Sequence, residues 1–374
     1  RHEGQVTGMP FVTLAGARSS GTDVTVRTGR RSRLAAFADP AEAIVRGMRA
    51  IQLQQPGGPE SLDLVDLPDP LPGAGEVVAR VAAAGVNFID TYRRSGVYPV
   101  PFPHVPGDEG AGVVVAVGDG VDDIAIGDRI AWTDAPGSYA ELVTVKAARA
   151  LRVPDGVALD TAAALPLQGM TAHYLATSTY PLGGGDVALV HAGAGGVGLL
   201  LTQLAVARGA RVITTVSTAE KAELSRAAGA SDVIRYDQLG DLTAELPALV
   251  RELSDGGATV VYDGVGRTTF DASLASLRRR GMLVLFGGAS GQVPPFDLQR
   301  LNAGGSLYVT RPKLGDYIVT TEELRQRSDD LFAAVAAGAL DVRIGARFPL
   351  AEAADAHRAL EGRATTGKVL LEIG

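Results

Sequence analysis

His191-Ala-Gly-Ala-Gly-Gly-Val-Gly198 sets glycines at Gly193, Gly195 and Gly198, with Gly196 and Val197 between them, directly after the apolar run Val187 to Val190. Glycine at the first place allows a sharp turn. At the second it lets the backbone approach a diphosphate with no Cβ in the way, and at the third it lets a helix pack closely on the strand. Backbone N–H groups at the N-terminus of that helix can then hold the diphosphate. In a chain with 47 glycines the pattern needs support from its surroundings.

In such a site an acidic residue at the end of the next strand selects NAD by gripping the ribose 2′-hydroxyl. Here that strand ends Val216-Ser217-Thr218-Ala219-Glu220-Lys221. Hydroxyls at Ser217 and Thr218 replace the carboxylate, and Lys221 lies one helical turn on, where a cation can meet a 2′-phosphate. The expected cofactor is therefore NADP(H). Glu220 would reverse that choice if the strand ran further.

The elements around the fingerprint alternate. Val197, Leu201, Leu204 and Ala205 share one helical face, and strands are predicted at Arg211 to Val216, Asp232 to Tyr236, Thr259 to Tyr262 and Met282 to Phe286. Helices are predicted between them at Ala219 to Ala228, Leu242 to Leu253 and Thr268 to Arg280. That order means crossover units and a parallel sheet covered on both faces. Before it, Met48 to Leu53, Leu62 to Leu67, Glu76 to Ala83, Gly110 to Val117 and Arg129 to Ala131 read as strands punctuated by glycine and proline. After Pro312 come a helix (Thr321 to Ala337), a strand (Val342 to Phe348), a helix (Ala351 to Leu360) and a strand (Val369 to Ile373). These last elements are expected to join the N-terminal unit, leaving the nucleotide unit inserted within it.

At 374 residues the chain exceeds what one core fills, so two domains are expected. A net charge of −7 argues against nucleic acid as a partner. Absence of cysteine excludes disulfides and thiolate chemistry and fits a cytoplasmic protein. The long apolar stretch from Val187 to Ala207 is broken by the glycine turn and reads as a strand and a helix, so no membrane span is expected. Residues 1–47 carry seven arginines and four acidic residues with no clear period. They read as a disordered extension ahead of Met48, with a transit peptide as the alternative.

Several separated segments carry a common resemblance: Ala84-Gly-Val-Asn-Phe-Ile-Asp-Thr-Tyr-Arg-Arg-Ser-Gly96 with Tyr98-Pro99, the fingerprint, Val261-Tyr-Asp-Gly-Val-Gly266, Ser306-Leu-Tyr-Val-Thr-Arg-Pro312, and Gly362-Arg-Ala-Thr-Thr-Gly-Lys368. From Met48 onward the chain resembles the zinc-free quinone oxidoreductase (zeta-crystallin-like) branch of the medium-chain dehydrogenase/reductase superfamily. The resemblance implies an α/β fold in which a GroES-like β-rich catalytic domain (48–170 and 312–374) is split around a Rossmann domain with a doubly wound parallel sheet (171–311). It implies NADPH-dependent hydride transfer to a small quinone, and a homodimer formed through Ser306 to Arg311.

Zinc ligands of the alcohol dehydrogenase branch are replaced. Asn87 follows Gly85-Val86, the usual Gly-His-Glu reads Gly107-Asp108-Glu109, and no structural cysteine lobe exists. None of His104, His173, His191 and His357 has a partner at metal spacing, so no metal is expected. By the same resemblance Asn87 and Tyr92 border nicotinamide and substrate, Tyr98 stands at the mouth, Thr171 lies near the nicotinamide and Tyr174 near the pyrophosphate. Ser217, Lys221, Tyr236 and Arg363 would serve the adenosine end, with Lys221 and Arg363 on the 2′-phosphate. Gly264, Phe286, Gly287, Gly288, Ala289, Val309, Thr310 and Arg311 would line the ribose and nicotinamide, with Lys368 a weaker candidate. Asp263 is expected to cap a turn. An NADPH-dependent enone or enoyl reductase on the same scaffold is the nearer alternative, and a non-catalytic nucleotide sensor or structural protein the farther one.

Overall fold

The computed structural model describes residues 47–373; the extension read at residues 1–47 lies outside them except for Gly47. A ribbon of β1 (Gly47–Gln52) and β2 (Asp63–Pro68) comes first. There follow β3 (Glu76–Val86), the short helix α1 (Phe88–Arg94), β4 (Glu109–Val117), β5 (Arg129–Trp132), β6 (Leu142–Lys146) and β7 (Leu151–Arg152). Helices α2 (Leu159–Ala164) and α3 (Pro166–Tyr174) lead into β8 (Val187–Val190), α4 (Gly196–Ala207), β9 (Arg211–Val216), α5 (Ala219–Ala227), β10 (Asp232–Arg235) and α6 (Leu242–Ser254). Next come β11 (Ala258–Asp263), α7 (Phe270–Ala275), β12 (Leu277–Leu285), α8 (Gln299–Ala303) and β13 (Tyr308–Thr310). The chain finishes with α9 (Thr321–Ala336), β14 (Ile344–Pro349), α10 (Ala353–Glu361) and β15 (Lys368–Glu372).

Six strands form a parallel sheet in the order β10-β9-β8-β11-β12-β13, the doubly wound arrangement expected from alternating strands and helices. Every residue of β11 is buried, as helices on both faces require. A seven-stranded sheet holds β14-β15-β3-β4-β5-β7, with β6 also paired to β3. Here β15 runs antiparallel to β3 with Val369 opposite Val86, so the last strand returns to the sheet begun near the first. The sheets share a core: Ala83, Ala111 and Leu370 of one and Val190, Val212 and Val260 of the other belong to a single buried cluster, bridged by Leu165, Met170 and Leu175.

The helix predicted from Thr268 to Arg280 is shorter than expected. It stops at Ala275, and Leu277 already pairs with Ala258 in the sheet. Gly257 explains the change: its φ is +126°, and a Cβ there would lie 2.7 Å from the backbone N of Arg278. That close approach, with Ala258 N donating to the Ser276 carbonyl, draws the chain into β12. Helix α1 was not anticipated from the motif that contains it.

A buried hydrogen-bonded chain fixes α1. Arg94 pairs with Glu361 of α10 and donates to His357 Nδ1, so the imidazole proton sits on Nε2, which faces the Tyr139 hydroxyl at 3.2 Å. Tyr139 in turn donates to Asp90 Oδ2, which also accepts from the Asn87 backbone N–H. Burial holds His357 down to about 3, so it is neutral. Among the described residues Asp90 Oδ1 is buried without a partner, and burial, reinforced by the Asp108 carboxylate, pushes the Asp90 carboxyl up to about 7. The folded chain thus keeps a proton that the unfolded chain releases at its ordinary value of 3.8. Between those values folding takes up a proton, so this group's contribution to stability declines as pH rises through the window. Asp90→Asn keeps an acceptor oxygen and removes the charge. Its melting temperature should gain on that of the parent protein as pH rises from about 5 to about 8, and an offset independent of pH would show that Asp90 ionises normally.

Candidate active site

A cavity of about 1190 Å³ opens where the ends of the two sheets face each other. Its size exceeds the usual range for one small ligand, roughly 300–1,000 Å³. Along one side runs the fingerprint turn. A Cβ on Gly193 would lie 2.5 Å from Thr214 Cβ, and one on Gly198 would lie 2.3 Å from the Ala192 carbonyl oxygen. These two glycines stand behind the cavity and let β8, β9 and α4 close on each other. Gly195, Gly196 and Val197 line it. Gly195 caps α4 without a side-chain acceptor, which leaves first-turn N–H groups for a ligand.

At one end Lys221 donates to the Arg363 carbonyl at 2.6 Å and reaches Ser217 Oγ at 3.4 Å. Burial and the Arg363 guanidinium both lower the Lys221 pKa. Among the described residues neither cation is paired with an acid, so two like charges wait side by side, the donor set of a dianion site. Tyr236 lines the same end. Thr218 is instead the N-cap of α5, its hydroxyl accepting from Lys221 N. Because β9 ends at Val216, Glu220 falls in the exposed first turn of α5 and does not line the cavity.

At the other end stand aromatic rings. Tyr92 and Tyr98 meet edge to face at 5.6 Å, and Phe88 lies 6.3 Å from Tyr92. Burial raises the Tyr92 phenol, against the backbone of Gly288 and the charge of Arg311, so it remains a proton donor. Three cations of this end are matched with acids, Arg93 with Asp108, Arg149 with Asp134 at 2.7 Å, and Lys368 with Glu109, whereas Arg311, whose charge reaches Tyr92, bonds among the described residues only to the Pro312 carbonyl. Thr171 and Tyr174 of α3 line the middle; Tyr174 is stacked on Tyr317 at 4.2 Å, and burial pushes its phenol up.

Gly264, Phe286, Gly287, Ala289 and Arg311 also line the cavity. A Cβ on Gly287 would lie 2.4 Å from the Gly264 carbonyl oxygen, so the ends of β11 and β12 touch there. Gly288, Val309 and Thr310 are not part of this lining, though the Gly288 backbone reaches the Tyr92 phenol. Asp263 caps its turn as expected, accepting from Val265 N and Gly266 N and from the Thr269 and Ser273 hydroxyls.

Lys368 lines the cavity but points inward. It is 3% exposed, and its ammonium donates to Asn87 Oδ1 at 2.7 Å beside Glu109. Asn87 spends its amide hydrogens on Glu109 Oε2 and the Gly85 carbonyl. Toward a ligand Asn87 is therefore an acceptor only. Sequence reading passed over Glu109, Arg93 and the segment Pro312 to Val319, all of which line the site or bond to it. The motif Gly107-Asp108-Glu109 was the available signal for the first.

Two family models match: the alcohol dehydrogenase GroES-like domain over residues 73–155 and the zinc-binding dehydrogenase over residues 196–329. A quinone oxidoreductase of Pseudomonas aeruginosa is 46% identical over 86% of this chain and 99% of its own. A mycobacterial protein solved in complex with NADPH superposes with a TM-score of 0.84 at 53% identity, covering 87% of this chain and all of that one. A 2-haloacrylate reductase from a Burkholderia species is 40% identical over 86% of this chain and 98% of its own. Zinc, named by one family model, does not fit the residues present: Asp108 and Glu109 are neutralised by Arg93 and Lys368, the sequence has no cysteine, and among the described residues no three of histidine, aspartate and glutamate gather as metal ligands. With both lobes matched in order and near-complete coverage of its relatives, the chain belongs to the quinone oxidoreductase branch of the medium-chain dehydrogenase/reductase superfamily.

Proposed function

We propose that this protein is an NADPH:quinone oxidoreductase that needs no metal. The observation that carries the reading is the asymmetry of the cavity: at one end Lys221 and Arg363 have no acid partner among the described residues, and at the other stands an aromatic wall flanked by Arg93 and Arg149, each held by an acid. NADPH, when bound, supplies the hydride. Lys221 and Arg363 bind the 2′-phosphate, Ser217 and Tyr236 border the adenosine while Thr218 caps the helix that carries Lys221, and the Gly195 to Val197 backbone takes the pyrophosphate with Tyr174 beside it. Thr171, Gly264, Phe286 to Ala289 and Val309 to Arg311 enclose the ribose and nicotinamide.

Tyr92 and Tyr98 hold a flat acceptor by stacking, and the Tyr92 hydroxyl can donate to oxygen as charge develops on it. A quinone spreads that charge over a conjugated system, so orientation and a dry slot suffice. Arg93, Arg149 and Lys368 each have an acid partner, which leaves Arg311 as the cation an anionic enone could use, while the facing aromatic rings favour a flat neutral quinone. We assign residues 48–170 and 312–374 to the catalytic lobe and 171–311 to the nucleotide lobe. The cysteine-free sequence supports a cytoplasmic setting; among the described residues no helix is long and apolar enough to cross a membrane.

A panel of 1,2-naphthoquinone, 1,4-benzoquinone, an alkenal and a 2-enoyl thioester with NADPH tests the reaction. Turnover should be fastest on the quinones, and faster turnover on the thioester would make the enoyl reductase reading correct. NADPH should bind at least about tenfold tighter than NADH, equal to roughly 1.4 kcal/mol. Lys221→Ala should erase most of that preference by weakening NADPH alone. Equal weakening of both cofactors would show that Lys221 does not read the phosphate.

We also propose a homodimer through β13, the edge strand of the parallel sheet, where Tyr308 is 57% exposed. An uncovered apolar edge invites pairing with a second copy. Light scattering should give twice the mass of one chain, and Tyr308→Glu should shift the protein toward monomer without lowering its melting temperature. A monomeric parent protein at micromolar concentration would defeat the assignment.

A further inference from the structure

Lys368 opens β15 directly after Gly367, whose N–H donates to the Ala194 carbonyl of the fingerprint turn at 2.9 Å. Four residues earlier the Arg363 carbonyl takes the Lys221 ammonium. The segment 363–368 therefore touches the phosphate end, the turn and, through Lys368, the opposite end of the cavity. Glu109 accepts from Leu167 N with Oε1 and from Asn87 Nδ2 with Oε2, which leaves the ammonium to bridge Glu109 and Asn87 Oδ1. Gly85 makes room for this arrangement: a Cβ there would lie 2.2 Å from Glu109 Oε2 and 2.7 Å from Lys368 Cε. An ammonium has donors only, so it dictates which end of the Asn87 amide faces it.

We propose that Lys368 is a positioning residue of the hydride-transfer site, which sets the Asn87 amide so that its oxygen, and not its NH2 group, is what the residue can offer a ligand. The proposal rests on the reading of the cavity as an NADPH and quinone site. It gives Lys368 a role in turnover with no contact to the cofactor phosphates. A merely structural Lys368 would affect stability, cofactor affinity and rate together; a positioning residue acts through Asn87.

The test compares Lys368→Met, Asn87→Ala and the double variant in the full chain. Lys368→Met should lower kcat for 1,2-naphthoquinone by about tenfold or more with a smaller change in KM and in NADPH Kd. In the Asn87→Ala background the same substitution should add almost nothing, as expected for two groups acting as a unit. In the ligand-free protein the Asn87 side-chain NH2 resonance, identified by its loss in Asn87→Ala, should move in Lys368→Met. If the lone charge left on Glu109 prevents folding, Lys368→Met with Glu109→Gln removes both charges, and the same measurements apply against Asn87→Ala with Glu109→Gln. Losses that multiply, or a resonance that stays in place, would overturn the proposal. A parent enzyme inactive on every quinone would defeat the reaction assignment alone, because the resonance still decides the role of Lys368.

Discussion

Burying an ammonium and a carboxylate together costs several kcal/mol of desolvation per ion before their attraction is counted, and a well-packed apolar pair of the same volume is often more stable. The chain nevertheless buries Lys368 against Glu109, and it does so where four elements meet: β15, β4, the β3 to α1 junction and the start of α3. Removing either partner leaves an uncompensated charge in the core. The pair therefore locks the geometry of the junction more firmly than it stabilises the fold. Neighbouring small residues follow from it, since Gly85 must lack a side chain for the two charged groups to lie against β3.

The same economy of space governs the nucleotide lobe. Gly193, Gly198, Gly264 and Gly287 mark places where two backbones, or a backbone and a side chain, come closer than a Cβ permits. These contacts bring the ends of β8, β11 and β12 together, and His191, Asp263, Thr269 and Ser273 hydrogen-bond in the space beneath. His191 is buried, and burial lowers its pKa, so the network under the turn carries the single formal charge of Asp263. Four donors satisfy that carboxylate. The turn is held by contacts that are local to it, and the segment 363–368 ties it to the other sheet.

That division explains what could be read from the sequence. Glycine spacing reports backbone geometry within a few residues, so the fingerprint, the parallel strands around it and the Asp263 cap were visible. So was the missing carboxylate after β9. The helix at 268–280 was overextended because the residue that ends it, Gly257, lies outside the window and acts through space. The pairing of Lys368 with Glu109 and Asn87 was invisible because 259 and 281 residues separate the partners. Lys368 stood out only as a weaker candidate for the cofactor site, a cation at the end of a motif, whereas its surroundings turn it toward an amide.

Saturation of Asn87 also bears on the chemistry the site can support. With both amide hydrogens engaged by Glu109 and Gly85, Asn87 has no donor left for a developing oxyanion. Arg93, Arg149 and Lys368 have given their charges to acids. Under the proposed reading, stabilisation of negative charge on the acceptor falls to the Tyr92 hydroxyl, to the charge of Arg311 that acts on it and to the acceptor itself. An isolated carbonyl that becomes an alkoxide needs strong electrostatic help, since preorganised donors are worth a few kcal/mol each at such a site. A quinone places the incoming charge on an oxygen conjugated with its ring and needs less. Under the proposed reading, an aromatic slot with few free donors therefore favours acceptors that stabilise their own anion over simple ketones and aldehydes.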